Sequence, residues 1–379
     1  FRLEDYHLKT IHTVRACRTS RLGLFQFGCD SCGDSHVLPR SCKHRFCSKC
    51  GNSDTMSWVS RLTKRLPDIK HHHVVFTLPK SLRYLCKREK SFFYNLMFLC
   101  SQQVIKNYYL SKYGLLPGII SVLHTNGSDL KFHPHIHMIV SAGGLTKEGE
   151  IEEFTSDYLC PQRVLANSFK ELFISRLSKN FEDQRFTSRL INGLGKTYQR
   201  LNYIQSKAKL LKKLRGASSQ QWIAHIDKPL NGVEKIIGYV GRYTKKSCIS
   251  ERRILSINNG KIRISFKDYK NSKRGEKPID GHLTLSSTEF LDRLFEHLPE
   301  KGFNVVRYYG LYSSSYIDQI PEDKKIKELR IPEYDYSTLE DFDDAVRLFH
   351  KYRKTILENT GKDPLYCYHC NQVMKLMEI

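Results

Sequence analysis

The sequence predicts an α+β fold, in which a cysteine-rich module precedes a central antiparallel sheet flanked by helices and helical insertions. Three observations support this prediction. Short apolar, β-branched runs alternate with longer stretches of helical spacing. Asn-Gly pairs at Asn126 and Asn259 lie between strand-like runs and indicate hairpins. Hydrophobic residues make up 40% of the 379 residues, enough for packed cores in two or three modules.

The cysteine-rich module is predicted to span residues 1–68. Six of the twelve cysteines lie between Cys17 and Cys50, among many Lys and Arg residues. The pairs Cys29-x2-Cys32 and Cys47-x2-Cys50 are fourteen residues apart and offer the four thiolates that one structural Zn2+ ion requires. Zinc would supply folding energy to a small module that otherwise lacks a core.

Further potential zinc ligands surround these two pairs. Cys17, Cys42 and His44 could replace one of the four ligands or complete a second site. Cys367 and Cys370 form half of a site, and three alternatives are open: they are unpaired, they pair with Cys17 or Cys42, or they belong to a truncated second knuckle. Clustered cysteine pairs without a secretory signal indicate a reducing compartment, so we expect a cytoplasmic protein.

Residues 69–250 are predicted to form the second domain, with a helical insertion at about 160–218. Strands are expected at 73–78, 119–124, 132–140 and 222–226, with a turn around Asn126-Gly127. Helices are expected at 82–112, through much of 162–215, and at 234–245.

Residues 251–312 are predicted to extend this domain. A hairpin is expected from strands at 253–257 and 261–269, followed by a helix at 287–295 that Ser286 or Ser287 caps. Residues 313–379 have a less regular pattern and are predicted to form a charged C-terminal tail with a cysteine pair.

A histidine motif, His133-Pro134-His135-Ile136-His137, occupies the second strand of the first hairpin. Alternate side chains of a strand share one face, so His135 and His137 are expected to point together, with Ile136 buried on the opposite face. His124 ends the partner strand and is expected to lie across from this pair. Three neutral imidazoles leave coordination positions for a phosphate oxygen and water, as a catalytic metal site requires.

A tyrosine motif lies in the helix expected at 234–245. On a helix, Tyr239 and Tyr243 share one face and stand one turn apart. Arg242, Lys245 and Lys246 would contact phosphates. A tyrosine hydroxyl titrates near pH 10, so a nucleophilic tyrosine needs help from a divalent ion that polarises the scissile phosphate.

The charge balance favours a nucleic-acid partner. The chain has 62 Lys and Arg against 39 Asp and Glu, a net charge of +23. No apolar run is long enough to span a bilayer, so we expect a soluble protein without a membrane partner. Because the chain begins at Phe1, we also expect further residues upstream.

Together these motifs resemble the HUH endonuclease superfamily, and more specifically the rolling-circle insertion-sequence transposases of the IS-ninety-one type. The resemblance covers about residues 15–312. It rests on the cysteine-rich segment, on His73-Val-Val-Phe-Thr-Leu-Pro79, on the Leu123-His124-Thr125 to His137 hairpin, on Tyr239 to Arg253, and on Phe266-Lys-Asp-Tyr269, Leu285-Ser286, Glu289-Phe290, Leu298-Pro299, Lys301-Gly302-Phe303 and Tyr309-Gly310. The turn Thr125-Asn126-Gly127 is less aromatic than in relatives.

The resemblance implies an HUH-type core and a two-tyrosine mechanism. It assigns Tyr239 and Tyr243 as nucleophiles on single-stranded DNA, and His135 and His137 as ligands of Mg2+ or Mn2+. The third ligand is expected to be His124, with Glu234 as the alternative found in single-tyrosine relatives. The partners would be element ends and target DNA in the bacterial nucleoid, and a homo-oligomer is left open.

Two alternative functions are consistent with the same residues. A rolling-circle replication initiator or relaxase would use the same site, but the zinc module and the Lys301-Gly302-Phe303 block favour a transposase. A catalytically inactive DNA-binding regulator is disfavoured because His135, His137, Tyr239 and Tyr243 are all present.

Overall fold

The computed structural model describes residues 5–44, 46–47, 50–51, 58, 62, 66–194, 198, 201–229, 248–268, 271, 278–316, 320, 353, 356–357 and 361–378. The helices are α1 (Asp5–Arg15), α2 (Lys80–Arg88), α3 (Lys90–Tyr113), α4 (Gln162–Glu182), α5 (Gln184–Gly193), α6 (Tyr203–Ser219) and α7 (Ser287–Glu296). The strands are β1 (Leu24–Gly28), β2 (Ser35–Pro39), β3 (His71–Thr77), β4 (Gly118–Asn126), β5 (Phe132–Ser141), β6 (Gly143–Leu145), β7 (Ile151–Glu153), β8 (Ile223–Ile226), β9 (Ile254–Asn258), β10 (Lys261–Asp268), β11 (Ile279–Ser286), β12 (Val306–Gly310) and β13 (Lys375–Glu378).

A five-stranded sheet with the order β12-β4-β5-β3-β8 forms the centre of the fold. Every neighbouring pair in it is antiparallel. The α+β prediction, with a central antiparallel sheet flanked by helices, is therefore confirmed.

One face of this sheet packs against helices because alternate residues of each strand are apolar. On β5, Ile136, Met138 and Val140 are fully buried in the main core. Side chains from α3 and α4, including Phe93 and Phe169, belong to the same core. The opposite face of β5 is therefore the one that carries His133, His135 and His137.

Helix ends follow the sequence. Asn202 and Gln205 form a capping box at the start of α6, and Ser286 caps α7 by accepting a hydrogen bond from the Glu289 amide, as predicted. The single helix expected at 82–112 is two helices, because Glu89 leaves the helical conformation at φ −127° and ψ 59°.

The two predicted hairpins use different turns. Asn259 and Gly260 both have positive φ, at 47° and 70°, which is the two-residue turn that an Asn-Gly pair predicts. The β4–β5 hairpin is also confirmed, but its turn is not centred on Asn126-Gly127. The last strand pair is Asn126 with Phe132, and Leu130 takes the left-handed conformation at φ 60° while burying its side chain.

Seven of the described strands were not predicted, among them β11 and β12. β11 pairs with β10 to complete a three-stranded sheet, and β12 forms an edge of the central sheet beside β4. Neither has the continuous apolar pattern of β3 or β5, because β11 is mostly exposed and β12 is only half-buried.

The described residues form two compact units. The first draws on 1–64, 245–252 and 327–379, and the second on 65–244 and 253–326. In the first unit, a sheet of order β13-β1-β2 takes its outer strand from the segment expected to be a separate tail. Among the described helices, none combines the length and hydropathy needed to cross a membrane.

Candidate metal centre

Three histidines come together on the face of the central sheet opposite the main core. In the β4–β5 ladder His124 is directly opposite His135, and His137 is opposite Val122. Pairing places His124 and His135 on the same face, and the two-residue repeat of β5 adds His137. The predicted arrangement, with Ile136 buried on the other face, is confirmed.

The geometry of this histidine cluster suits a metal ion. One nitrogen from each of His124, His135 and His137 lies within 4.8 Å of the others. The ring centroids of His124 and His137 are 4.6 Å apart, and those of His135 and His137 are 4.8 Å apart. His133, two residues before His135 on the same strand, has its ring 5.2 Å from that of His135 and lies outside the group of three.

Hydrogen bonds to Nδ1 set the tautomers of two of these rings. Nδ1 of His135 lies 2.6 Å from the His133 carbonyl oxygen, which can only accept, so Nδ1 carries the proton. Nε2 of His135 then carries the lone pair that a metal ligand needs.

The side chain of His73 orients His137. From the sequence, His73 was predicted only as the first residue of an apolar strand. Nδ1 of His137 lies 2.8 Å from Nε2 of His73, on β3. Nδ1 of His73 lies 2.6 Å from a carboxylate oxygen of Asp227, just after β8. With a neutral His73, Asp227 accepts from His73 Nδ1–H, and His73 Nε2 accepts from His137 Nδ1–H, which leaves the lone pair of His137 on Nε2.

The other oxygen of Asp227 binds a further imidazole. It lies 2.8 Å from Nε2 of His225, on β8. The hydrogen bond from His73 is the main reason that the pKa of Asp227 is lowered. Asp227 therefore remains a carboxylate and an acceptor at neutral pH.

Burial favours the neutral forms of His135 and His137. It lowers the pKa values of His135 and His137 well below their usual range, and repulsion from His124 lowers them further. The pKa of His133 falls to about 4, mainly through burial and then through the nearby positive charge of Arg83. Neutral imidazoles are the form that binds metal ions.

Arg83 is a further residue near the cluster that was not predicted from the sequence. It lies on α2, its Nε donates to the Leu78 carbonyl oxygen at 3.2 Å, and its charge acts on His133 and His135. A guanidinium beside a metal site is suited to bind a phosphate.

The tyrosine motif lies outside the described residues. This applies to Tyr239 and Tyr243, to the predicted phosphate-contacting residues Arg242, Lys245 and Lys246, and to Glu234, the alternative third ligand.

Four of the six N-terminal cysteines form one cluster of thiols, from Cys17, Cys42, Cys47 and Cys50. Sγ of Cys17 lies 3.5 Å from that of Cys50 and 3.6 Å from that of Cys47. Cys42 and Cys17 thus join this cluster, whereas His44 is outside it, with Nδ1 accepting a hydrogen bond from the Phe46 amide at 3.2 Å.

The prediction that Cys29, Cys32, Cys47 and Cys50 form a single site is wrong. Cys29 and Cys32 lie in the turn between β1 and β2 and cluster with Cys367 and Cys370. The reason is that β13 pairs with β1 and brings the later cysteine pair to this turn. The spacing within each Cys-x2-Cys pair does not predict which two pairs lie together.

Two families of known proteins match parts of this chain. Residues 118–319 match the family described as "Putative transposase", and residues 2–78 match the family described as "Transposase zinc-binding domain". A relative from Pseudomonas savastanoi pv. phaseolicola, "Transposase for insertion sequence element IS801", is 31% identical over 327 residues, which cover 82% of this chain and 72% of the relative.

A second relative is described as "Putative transposase y4qJ" from Sinorhizobium fredii. It is 28% identical over 370 residues, covering 96% of this chain and 87% of the relative. No solved structure matches this chain at a significant level.

A zinc-binding domain and the matched transposase segment define a class of DNA-processing protein. The chain belongs to the insertion-sequence transposases of the IS91 type, because a family match covers more than half of it and a transposase relative aligns along most of both chains. The resemblance recognised in the sequence is confirmed.

Proposed function

We propose that this transposase cleaves and transfers single DNA strands by a rolling-circle-like mechanism, with Tyr239 and Tyr243 as nucleophiles. The observation that carries the proposal is the cluster of His124, His135 and His137 in a member of this transposase family. Both tyrosines fall within the matched range 118–319.

In the first step, the hydroxyl oxygen of one tyrosine attacks the phosphorus of a phosphodiester and loses its proton. The bond from phosphorus to the 3′ oxygen breaks, and that oxygen takes up a proton. The products are a 5′-phosphotyrosine and a free 3′-hydroxyl. Attack by a 3′-hydroxyl on a phosphotyrosine reverses the step, so the second tyrosine would allow transfer to a target strand without a nucleotide cofactor.

The donor set of the histidine cluster fits a divalent ion. Nδ1 of His135 carries a proton, and so does Nδ1 of His137 when His73 is neutral, so both rings present Nε2 lone pairs. All three residues of the cluster are imidazoles. A bound Mg2+ or Mn2+ would polarise the scissile phosphate and stabilise the charge that develops on the leaving oxygen. Because nitrogen donors favour transition metals, this set should hold Mn2+ more tightly than Mg2+.

The remaining residues would position DNA. Arg83 lies beside the cluster, and Arg242, Lys245 and Lys246 follow the first tyrosine in the sequence. The zinc-binding module would use Cys17, Cys42, Cys47 and Cys50 as ligands, and its basic residues would contact phosphates. Such a protein would act on the nucleoid, in the cytoplasm.

The proposal is tested by incubating the full chain and Mn2+ with an end-labelled single-stranded oligonucleotide from the ends of its own element. Wild-type protein should form a covalent adduct that survives denaturing electrophoresis. Tyr239→Phe/Tyr243→Phe should form none while still binding the oligonucleotide.

A matched control is Tyr158→Phe, which removes a hydroxyl from an exposed tyrosine and should leave adduct formation unchanged. Peptide mapping of the wild-type adduct identifies the modified residue. Adducts that persist in the double variant would show that these tyrosines are not the nucleophiles.

A further inference from the structure

Four thiols from opposite ends of the sequence meet in the first compact unit. Sγ of Cys29 lies 3.3 Å from that of Cys370, and Sγ of Cys32 lies 3.5 Å from that of Cys367. All four sulfur atoms lie within 4.8 Å of one another. In a tetrahedral zinc site with Zn–S bonds of ~2.3 Å, sulfur atoms are about 3.8 Å apart, so this cluster is close to the required size.

The two Cys-x2-Cys segments have the same backbone hydrogen bonds. The amide of Cys29 donates to the Asp34 carbonyl at 2.8 Å, and the amide of Cys367 donates to the Gln372 carbonyl at 2.9 Å. In each case the acceptor is five residues after the first cysteine. The residue four positions after it donates back to the first cysteine's carbonyl, from Gly33 at 2.9 Å and from Asn371 at 3.0 Å.

Each turn is closed by a residue with positive φ immediately after its second cysteine. Gly33 has φ 73° and Asn371 has φ 56°, and glycine and asparagine are the residues that adopt this conformation most readily. The amide two residues after the second cysteine bonds to that cysteine's sulfur, from Asp34 to Cys32 and from Gln372 to Cys370. The two segments are thus matched knuckles, each built to present two sulfurs.

The surroundings of the knuckles hold them together. β1 pairs with β13 through Gln26–Glu378, Phe27–Leu376 and Gly28–Lys375. Phe27, Leu365 and Met374 form a small core with Cys29 and Cys367, and Lys375 forms an ion pair with Asp30 at 2.5 Å. Cys29 and Cys367 are buried while Cys32 is exposed, so the site is at the edge of this core.

We propose that Cys29, Cys32, Cys367 and Cys370 form a second structural zinc site, which attaches the segment 361–378 to the zinc-binding module. This site is separate from the cluster of Cys17, Cys42, Cys47 and Cys50, and half of its ligands lie outside the residues that match the zinc-binding family. Four thiolates fill the tetrahedral shell, so the site is closed and its role is structural.

The test is the zinc content of the full chain, purified without chelators and measured by inductively coupled plasma mass spectrometry. Wild-type protein should contain two zinc ions per chain. Cys367→Ser/Cys370→Ser should lose one and keep the other. Cys42→Ser should also lose one, and combining the changes should leave none.

Tyr368→Ala is a matched control, because Tyr368 lies between the two cysteines, is 89% exposed, and should leave both ions bound. A measurement on wild-type protein removes any dependence on how variants fold. Refolding with Co2+ should give thiolate-to-cobalt charge-transfer absorption equivalent to two four-thiolate sites per chain.

One zinc ion per wild-type chain would overturn the proposal. So would an intact mass lower by four hydrogens with four thiols resistant to alkylation, which would show two disulfides instead. Neither readout depends on DNA cleavage, so this proposal and the strand-transfer proposal can fail separately.

Discussion

Nε2 of His73 lies 2.8 Å from Nδ1 of His137, and the two rings stack at 15° with their centroids 5.1 Å apart. With a neutral His73, the carboxylate of Asp227 fixes, through His73, which nitrogen of His137 carries the proton. In the proposed metal centre, a carboxylate would thus orient a ligand through an intervening imidazole.

The first prediction concerns this relay. Asp227→Ala should weaken Mn2+ binding by about ten- to a hundred-fold, because His73 loses the acceptor that holds its tautomer. Asp227→Asn keeps an acceptor oxygen and should weaken binding less. Isothermal titration calorimetry on the full chain measures both. Asp280→Ala removes an exposed carboxylate from β11 and should have no effect. Wild-type affinity in Asp227→Ala would show that the relay does not tune the site.

The second prediction concerns the ligands themselves. His135→Ala should abolish detectable Mn2+ binding and adduct formation, because it removes one of three nitrogen donors. In wild-type protein, Mn2+ should bind more tightly than Mg2+ since imidazole donors favour it. His282→Ala, on exposed β11, is the control. Metal-independent cleavage by His135→Ala would contradict the assignment.

The third prediction concerns stability and pH. Burial lowers the pKa values of His71 and His297 to about 4. Their unfolded values near 6.5 are higher, so on acidification the unfolded chain takes up protons that the folded chain does not. Stability is therefore present above pH 6.5 and lost towards pH 4, by about 2 kcal/mol for each histidine between pH 7 and pH 5.

His297→Gln tests this effect. It should destabilise the protein at pH 7, because His297 donates to the Leu130 carbonyl, but its free energy of unfolding should fall less on acidification than that of wild type. Urea unfolding at the two pH values, followed by the fluorescence of buried Trp222 in a Trp58→Phe background, measures the difference. Equal losses in both proteins would mean that His297 does not contribute to the pH dependence.

The fourth prediction follows from the net charge of +23. The logarithm of the affinity for single-stranded DNA should fall with the logarithm of salt concentration, with a slope of about −0.7 for each phosphate contact. Lys245→Ala/Lys246→Ala should make this slope shallower by roughly 1.4. Lys147→Ala, in the exposed β6–β7 turn, serves as a control of equal charge type. Fluorescence anisotropy over a salt series gives the slopes, and an unchanged slope in the double variant would exclude these lysines as contacts.

Much of the histidine cluster could be predicted from the sequence because its geometry is local. The two-residue repeat of β5 places His135 and His137 together, and a short hairpin brings in His124. His73 and Asp227 were missed as site residues because their approach depends on the order β5-β3-β8, and the pairing of distant strands leaves no local pattern.

How the cysteine pairs combine also could not be predicted from the sequence. Each Cys-x2-Cys pair was predicted to supply half of a site. The pairs that begin at Cys29 and Cys47 have the same spacing, so spacing does not distinguish them. Which halves meet is decided by the pairing of β1 with β13, across more than three hundred residues. The edge strand β12 was missed for a related reason, since it is half-buried and lacks the apolar run of a central strand.

The pairing of β1 with β13 also sets the order of events during synthesis. β1 is the middle strand of its sheet, and the sulfur partner of Cys29 is Cys370, 341 residues later. At a translation rate of about 5–20 residues per second, that interval lasts on the order of tens of seconds. The sheet around Cys29 is therefore completed late, after His124, His135 and His137 have left the ribosome. A prematurely terminated chain would carry the histidine cluster without a finished zinc-binding module.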